Sequence, residues 1–158
     1  SHAIRIRPDF IYSYNNRGSA YSEIGHYQEA INDYERAAAI DPSSAEIYNN
    51  RGIVYNKLGW HQRAIAEYNQ VIHLKRYYSE AYNNRANAFF DLGQYPLALK
   101  DYNEAIRIHP RIGLFYDNRA NTYFHQGDHK SGCSDAQKAC DLGNCNILNI
   151  AKTQGLCR

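Results

Sequence analysis

The sequence predicts an all-α solenoid built from stacked pairs of antiparallel helices. Three observations carry that expectation. The string YNNRG stands at residues 14–18 and again at 48–52, followed by YNNRA at 82–86 and YDNRA at 116–120, a constant interval of 34 residues. Glycine recurs eight residues after each arginine, at Gly25, Gly59, Gly93 and Gly127. Between the glycines, apolar residues fall at three- and four-residue steps, as one face of a helix requires.

The elements follow in order. The first helix of each unit carries the arginine and, four residues on, Tyr21, Tyr55, Phe89 or Tyr123. In the first copy Tyr14, Tyr21 and Ile24 form its apolar face. The glycine sits where a left-handed cap ends a helix. The second helix follows, with Ala30, Ala64, Ala98 and Gly132 in one column and Tyr34, Tyr68, Tyr102 and Ala136 in the next. Pro42 and Pro110 close two of the units, because proline removes an amide donor and disfavours helix just before it. Gly18 opposite Ala30, and Gly52 opposite Ala64, supply small residues where paired helices approach. One such pair cannot bury its own apolar face, so the pairs must stack.

These residues resemble the tetratricopeptide repeat family, in the variant with arginine before the glycine of the first helix. The matching positions are Tyr14, Gly18, Tyr21, Gly25, Tyr27, Ala30, Tyr34, Ala37 and Pro42, with their equivalents in later copies. The resemblance covers four units, 11–44, 45–78, 79–112 and 113–146. It implies a right-handed stack with a concave groove. The fourth unit departs most, with Gly132, Ala136 and Asn144 at the alanine, tyrosine and proline positions. Residues 3–8, AIRIRP, nearly copy 105–110, AIRIHP, so residues 1–10 read as a tag remnant and the tail of a truncated preceding repeat. That truncation would uncover Ile11, Tyr12 and Tyr14 and open a route to self-association. Residues 145–158 read as a C-terminal capping helix, the whole forming one continuous repeat domain over 11–158.

Sixteen residues after each arginine comes an acid, giving Arg17 with Asp33, Arg51 with Glu67, Arg85 with Asp101 and Arg119 with Asp135. A ladder of ion pairs within each repeat explains this better than a basic stripe for an acidic ligand, since each arginine has its own carboxylate. No partner column of that kind is legible beside the asparagines. Asn16, Asn50, Asn84 and Asn118 precede the arginine, and Asn15, Asn49 and Asn83 stand one residue earlier. In the resembled family this part of the first helix faces the groove, and the column is similar to the asparagine ladder of the O-linked N-acetylglucosamine transferases. A primary amide offers donors and an acceptor that match a peptide unit. The alternative is that these amides bond to helix backbones or to one another. Asn87, Asn121, Lys57, Phe90 and Phe124 extend the expected peptide-binding surface. Lys57 is the one lysine there, which disfavours the carboxylate clamp by which some family members hold acidic chaperone tails.

The cysteines, Cys133, Cys140, Cys145 and Cys157, all lie near the C-terminus. Cys133 and Cys140 are roughly 10.5 Å apart along one helix, too far for a mutual bridge. An antiparallel hairpin would bring Cys140 near Cys145 and Cys133 near Cys157. Disulfides that staple the cap are the first reading, free buried thiols the second and zinc the weakest, because no close pair of zinc spacing occurs. Bridges would imply a periplasmic or other extracytoplasmic compartment; thiols would leave the cytoplasm open.

The net charge of +2, with acids and bases interspersed, offers no basic stripe for nucleic acid. No apolar run approaches the ~20 residues that cross a bilayer. The seven histidines are scattered, and His125 and His129 straddle Gly127 at a helix break. No phosphate-binding loop, metal-binding motif or nucleophile with an adjacent base is legible. The expectation is therefore a non-catalytic scaffold for an extended peptide, without cofactor or metal. A self-assembly module and the substrate-presenting part of a larger enzyme are the alternatives.

Overall fold

The computed structural model describes residues 8–157, with side chains from residue 10. It divides into two compact units, residues 1–76 and 77–158. The expected tag remnant and the AIRIRP segment at 3–8 lie outside the described residues, apart from Pro8.

The first unit holds α1 (Pro8–Glu23), α2 (Tyr27–Ile40), α3 (Ala45–Lys57) and α4 (His61–Leu74). α1 pairs with α2, α3 pairs with α4, and α2 and α1 both pack on α3. The second unit holds α5 (Ser79–Asp91), α6 (Tyr95–Ile108), α7 (Gly113–His125), α8 (His129–Asp141) and α9 (Asn146–Thr153). Its pairs are α5 with α6 and α7 with α8. α6 and α5 pack on α7, and α9 closes against α8 and α7. Every element among the described residues is a helix or a turn. α1 begins at Pro8, three residues before the boundary at 11 that the sequence suggests.

The predicted glycine punctuation is a hydrogen-bonded motif. Gly25 has a φ of +81°, a region open to glycine at little cost. This turns the chain so that the amide of His26 reaches back to the Tyr21 carbonyl at 2.8 Å and the amide of Gly25 to that of Ser22 at 3.4 Å. These bonds satisfy carbonyls that the helix end leaves open, in the Schellman pattern. The same long bond recurs from Trp60 to Tyr55, Gln94 to Phe89 and Asp128 to Tyr123. Ile24, expected on the apolar face of α1, is instead exposed, because it sits in this terminal turn.

The core of each pair centres on the second-helix tyrosine. Tyr34, Tyr68 and Tyr102 are almost fully buried. Gly18 and Gly52 lie under the rings of Tyr34 and Tyr68, where a Cβ would come within 2.9 and 2.7 Å. The small residue therefore admits the tyrosine ring of the partner helix. Burial pushes the Tyr68 and Tyr102 phenols well above their ordinary range.

The fourth pair solves the same problem differently. Ala136 stands at the tyrosine position, and the ring of Phe124 lies against Gly132, where a Cβ would come within 2.5 Å. Phe124, Cys133, Cys140, Ile147 and Leu156 pack around a core of Ala120, Ala136, Leu148, Ala151 and Cys157. Cys133 and Cys157 stand within bonding distance with Cα atoms 5.6 Å apart, and Cys140 and Cys145 with Cα atoms 4.0 Å apart. These are the pairings the hairpin argument favours.

Candidate functional site

The recurring Tyr-x-Asn-Arg string builds a stack and a fork. Tyrosine and arginine three residues apart share a helix face. The guanidinium of Arg17 lies 5.5 Å from the ring centre of Tyr14, and those of Arg51, Arg85 and Arg119 lie 5.6 Å from Tyr48, Tyr82 and Tyr116. Each fork then reaches the second helix of its own pair. Arg85 Nε and Nη2 donate to Asp101 Oδ2 and Oδ1 at 2.6 and 2.8 Å. Arg17 with Asp33 and Arg119 with Asp135 repeat this two-bond geometry. Each of these arginines thus engages the acid of its own repeat, as the matched acids suggest, and Arg119 Nη1 also donates to Asn103 Oδ1 at 2.6 Å.

The second repeat carries glutamate in this column, and the longer side chain changes the pairing. Arg51 donates to both Glu67 oxygens through Nη2 alone, at 3.0 and 2.9 Å. Its buried Nε has no hydrogen-bond partner among the described residues. Burial pushes the Glu67 carboxyl above the usual range, and Arg51 pulls it down. Glu67→Asp would draw the carboxylate back to the side-on position seen in the other three pairs. It is expected to raise stability by about 1 kcal/mol, read as an increased urea midpoint with unchanged slope.

The asparagines divide into two groups, and here the expected peptide-binding set needs correction. Asn15, Asn49 and Asn83 are buried, with exposures of 7%, 7% and 4%. Asn15 Nδ2 donates to Glu46 Oε1 at 2.9 Å, and Asn15 Oδ1 accepts from Asn50 Nδ2 at 3.1 Å. Asn83 Oδ1 likewise accepts from Asn118 Nδ2 at 2.9 Å. Asn15 and Asn83 clasp the first helices of successive repeats within their own units, because their side chains point between helices and must find partners there. In the fourth copy Asp117 Oδ1 accepts from the Ile147 amide at 3.1 Å and so seats the start of α9. Asn87 is also engaged inside, where Tyr102 donates to its Oδ1 at 2.6 Å.

Asn16 is exposed, and Asn50, Asn84, Asn118 and Asn121 are half-buried at the surface of the first helices. Asn50 and Asn118 each give one N–H to the buried column. Lys57 is exposed, 5.9 Å from the Tyr27 ring centre and 3.5 Å from Ser22 Oγ. Phe90 meets Tyr95 at 5.5 Å and the ring of His125, edge-on, at 5.0 Å. Phe124 is half-buried beside α9. At the start of the first unit Tyr12 is exposed, while Ile11 and Tyr14 are half-buried.

One arrangement has the look of a nucleophile and base. Ser79 Oγ and His109 Nδ1 are 2.6 Å apart, and the serine hydroxyl also lies 3.0 Å from Glu80 Oε2. A cavity of about 340 Å³ adjoins His109, Glu80 and Arg111. Ser79 is fully buried and does not line that cavity, so its hydroxyl offers no surface to a substrate. The contact ties the start of α5 to the end of α6. Among the described residues no group of three His, Cys, Asp or Glu side chains could hold a metal ion, and no helix is long and apolar enough to cross a membrane.

Paired helices at a fixed period, each pair locked by its own arginine and carboxylate, define the class of helical-repeat domains. Comparison with family models agrees. Residues 1–32, 45–78 and 79–112 match tetratricopeptide repeat models, and residues 18–59 match a TPR repeat model. The chain belongs to the tetratricopeptide repeat family. Comparison with curated proteins finds no match. Among solved structures it is similar to MamA from Desulfovibrio magneticus RS-1, with 24% identity and a TM-score of 0.77 over 85% of this chain and 76% of that one. TTC0263, a tetratricopeptide protein of Thermus thermophilus, superimposes with a TM-score of 0.76 at 20% identity over 84% of this chain and 74% of that one. The first tetratricopeptide domain of Spaghetti (RPAP3), solved with the HSP90 peptide SRMEEVD, gives 0.74 at 25% identity over 79% of this chain and 99% of that one.

Proposed function

We propose that this chain is a non-catalytic interaction scaffold that holds an extended peptide against the exposed face of its first helices, the face that lines the groove in the resembled family. The half-buried amides of Asn50 in the first unit and Asn118 in the second carry the reading, each unit taken by itself. A primary amide anchored on one side by the buried asparagine column presents its remaining polar atoms in a fixed direction, matching a peptide main chain without selecting its side chains. The peptide-bound state of the Spaghetti domain supports a peptide as the class of ligand. An acidic tail like that peptide fits less well, since Glu23 and Asp91 bring negative charge to the column of this face that holds Lys57.

Asn50→Ala combined with Asn118→Ala is expected to weaken a peptide selected from a display library by tenfold or more, by fluorescence anisotropy at a temperature where the variant stays folded despite the lost bonds to Asn15 and Asn83. Unchanged affinity would remove the amide column from recognition. The two cysteine pairs extend the proposal to an oxidising compartment. Protein unfolded without reductant is then expected to take up no alkylating agent; four alkylated thiols would place the chain in a reducing one.

A further inference from the structure

The fourth repeat lacks two features of the others, and together they leave a cavity. Tyr34 and Tyr102 engage Ser19 and Asn87 through their hydroxyls, at 3.1 and 2.6 Å. Asn121 occupies that column in the fourth repeat, where Ala136 stands at the tyrosine position and has no hydroxyl to offer. With Phe124 drawn onto Gly132, space remains between α7 and α9. It forms a cavity of about 360 Å³ walled by Phe124, Ile147, Ile150, Ala151 and Leu156. Asn121 and Gln154 contribute its amides, and His125 is its one titratable lining group.

We propose that this cavity is an anchor pocket for one leucine- or phenylalanine-sized side chain of an extended peptide, with Asn121 and Gln154 bonding the peptide unit beside it. The inference rests on the reading of the chain as a peptide scaffold and adds the residue class that gives it selectivity. Five of the eight lining residues are apolar and none is a carboxylate or ammonium group, so a charged side chain would lose hydration with only neutral amides and the His125 imidazole beside it. A bare hydrocarbon would leave both amides unmatched, whereas a main chain offers them a carbonyl and an N–H. Asn121 lies three residues after Asn118 on the same face of α7, so the pocket continues the proposed binding face. Ile150 is half exposed at the rim, which leaves the mouth open. The bond from the Ile147 amide to Asp117 and the contact of Cys157 with Cys133 hold the α9 wall in place.

The test is a nuclear magnetic resonance titration of the isotope-labelled chain with three capped glycine–serine octapeptides whose central residue is phenylalanine, serine or glutamate. The phenylalanine peptide is expected to shift the side-chain amides of Asn121 and Gln154 and the methyls of Ile150 and Leu156, with a Kd at least tenfold below the other two. Ile150→Arg, a rim substitution that leaves the remaining spectrum in place, is expected to raise that Kd tenfold or more. Equal binding of the serine peptide overturns the pocket, as does silence at these signals with all three peptides. Shifts confined to Asn84 and Asn118 overturn the pocket and leave the amide face standing. Shifts at the pocket alone retain it and remove the amide face. Toluene shifting Ile150 and Leu156 where the phenylalanine peptide does not would mark a small-molecule cavity and overturn the proposal.

Discussion

Arg85→Ala is expected to destabilise the second unit by about 3–5 kcal/mol, because it strands a buried carboxylate. Asp101 is 3% exposed, and both its oxygens accept from Arg85. Removing the guanidinium leaves that charge without its two strongest partners in a site closed to water. Urea denaturation followed by circular dichroism measures the loss. The double variant Arg85→Leu with Asp101→Leu should recover most of it, since an apolar pair of similar volume carries no desolvation penalty. A loss below about 1 kcal/mol in the single variant would show that the pair is effectively solvated. Arg17→Ala should cost less, because the Arg17 side chain is 51% exposed, against 19% for Arg85.

Tyr102→Ala is the second large effect, again about 3–5 kcal/mol, the range for deleting a buried aromatic ring. Tyr102 packs with Ala86 and Ala98, with Phe89 and Phe90 against them, and its hydroxyl holds Asn87. The fourth repeat shows how the same backbone tolerates alanine there. Ala136 is accompanied by Gly132, and Phe124 fills the space. Phe90 holds the Phe124 position in the third repeat and Ala98 the Gly132 position, where a Cβ would stand within 2.5 Å of a ring placed as Phe124 is. Adding Ala98→Gly to Tyr102→Ala should therefore restore stability, even though glycine within a helix costs about 1 kcal/mol. A double variant less stable than the single one would show that the phenylalanine cannot make the exchange.

The parts legible in the sequence are those fixed by distances within one repeat. Gly25 and its equivalents announce helix ends because their left-handed backbone is a local requirement. Arg85 and Asp101 announce each other because sixteen residues span one hairpin turn in every copy. The asparagine column was ambiguous for the opposite reason. Asn15 meets Glu46 and Asn50, residues 31 and 35 positions away in the next repeat, and only the stacking of hairpins decides which of two adjacent amides turns inward. The Tyr14–Arg17 stack was missed by the sequence reading, although the three-residue spacing carries its signal. The α7–α9 cavity was not legible, since it requires the chain after α9 to fold back and place Leu156 as a wall. The departures at Gly132 and Ala136 were visible as irregularities, but their joint meaning depends on where the Phe124 ring goes.

The link between Cys133 and Cys157 has a mechanical consequence. With it closed, the 24 residues it spans form a hoop that tension on the chain cannot extend. A molecule drawn out by its ends would come up short by roughly 80 Å of contour relative to the same molecule with the hoop cut, at about 3.4 Å per residue. Load would pass through the crosslink and bypass the residues between Cys133 and Cys157, α9 among them.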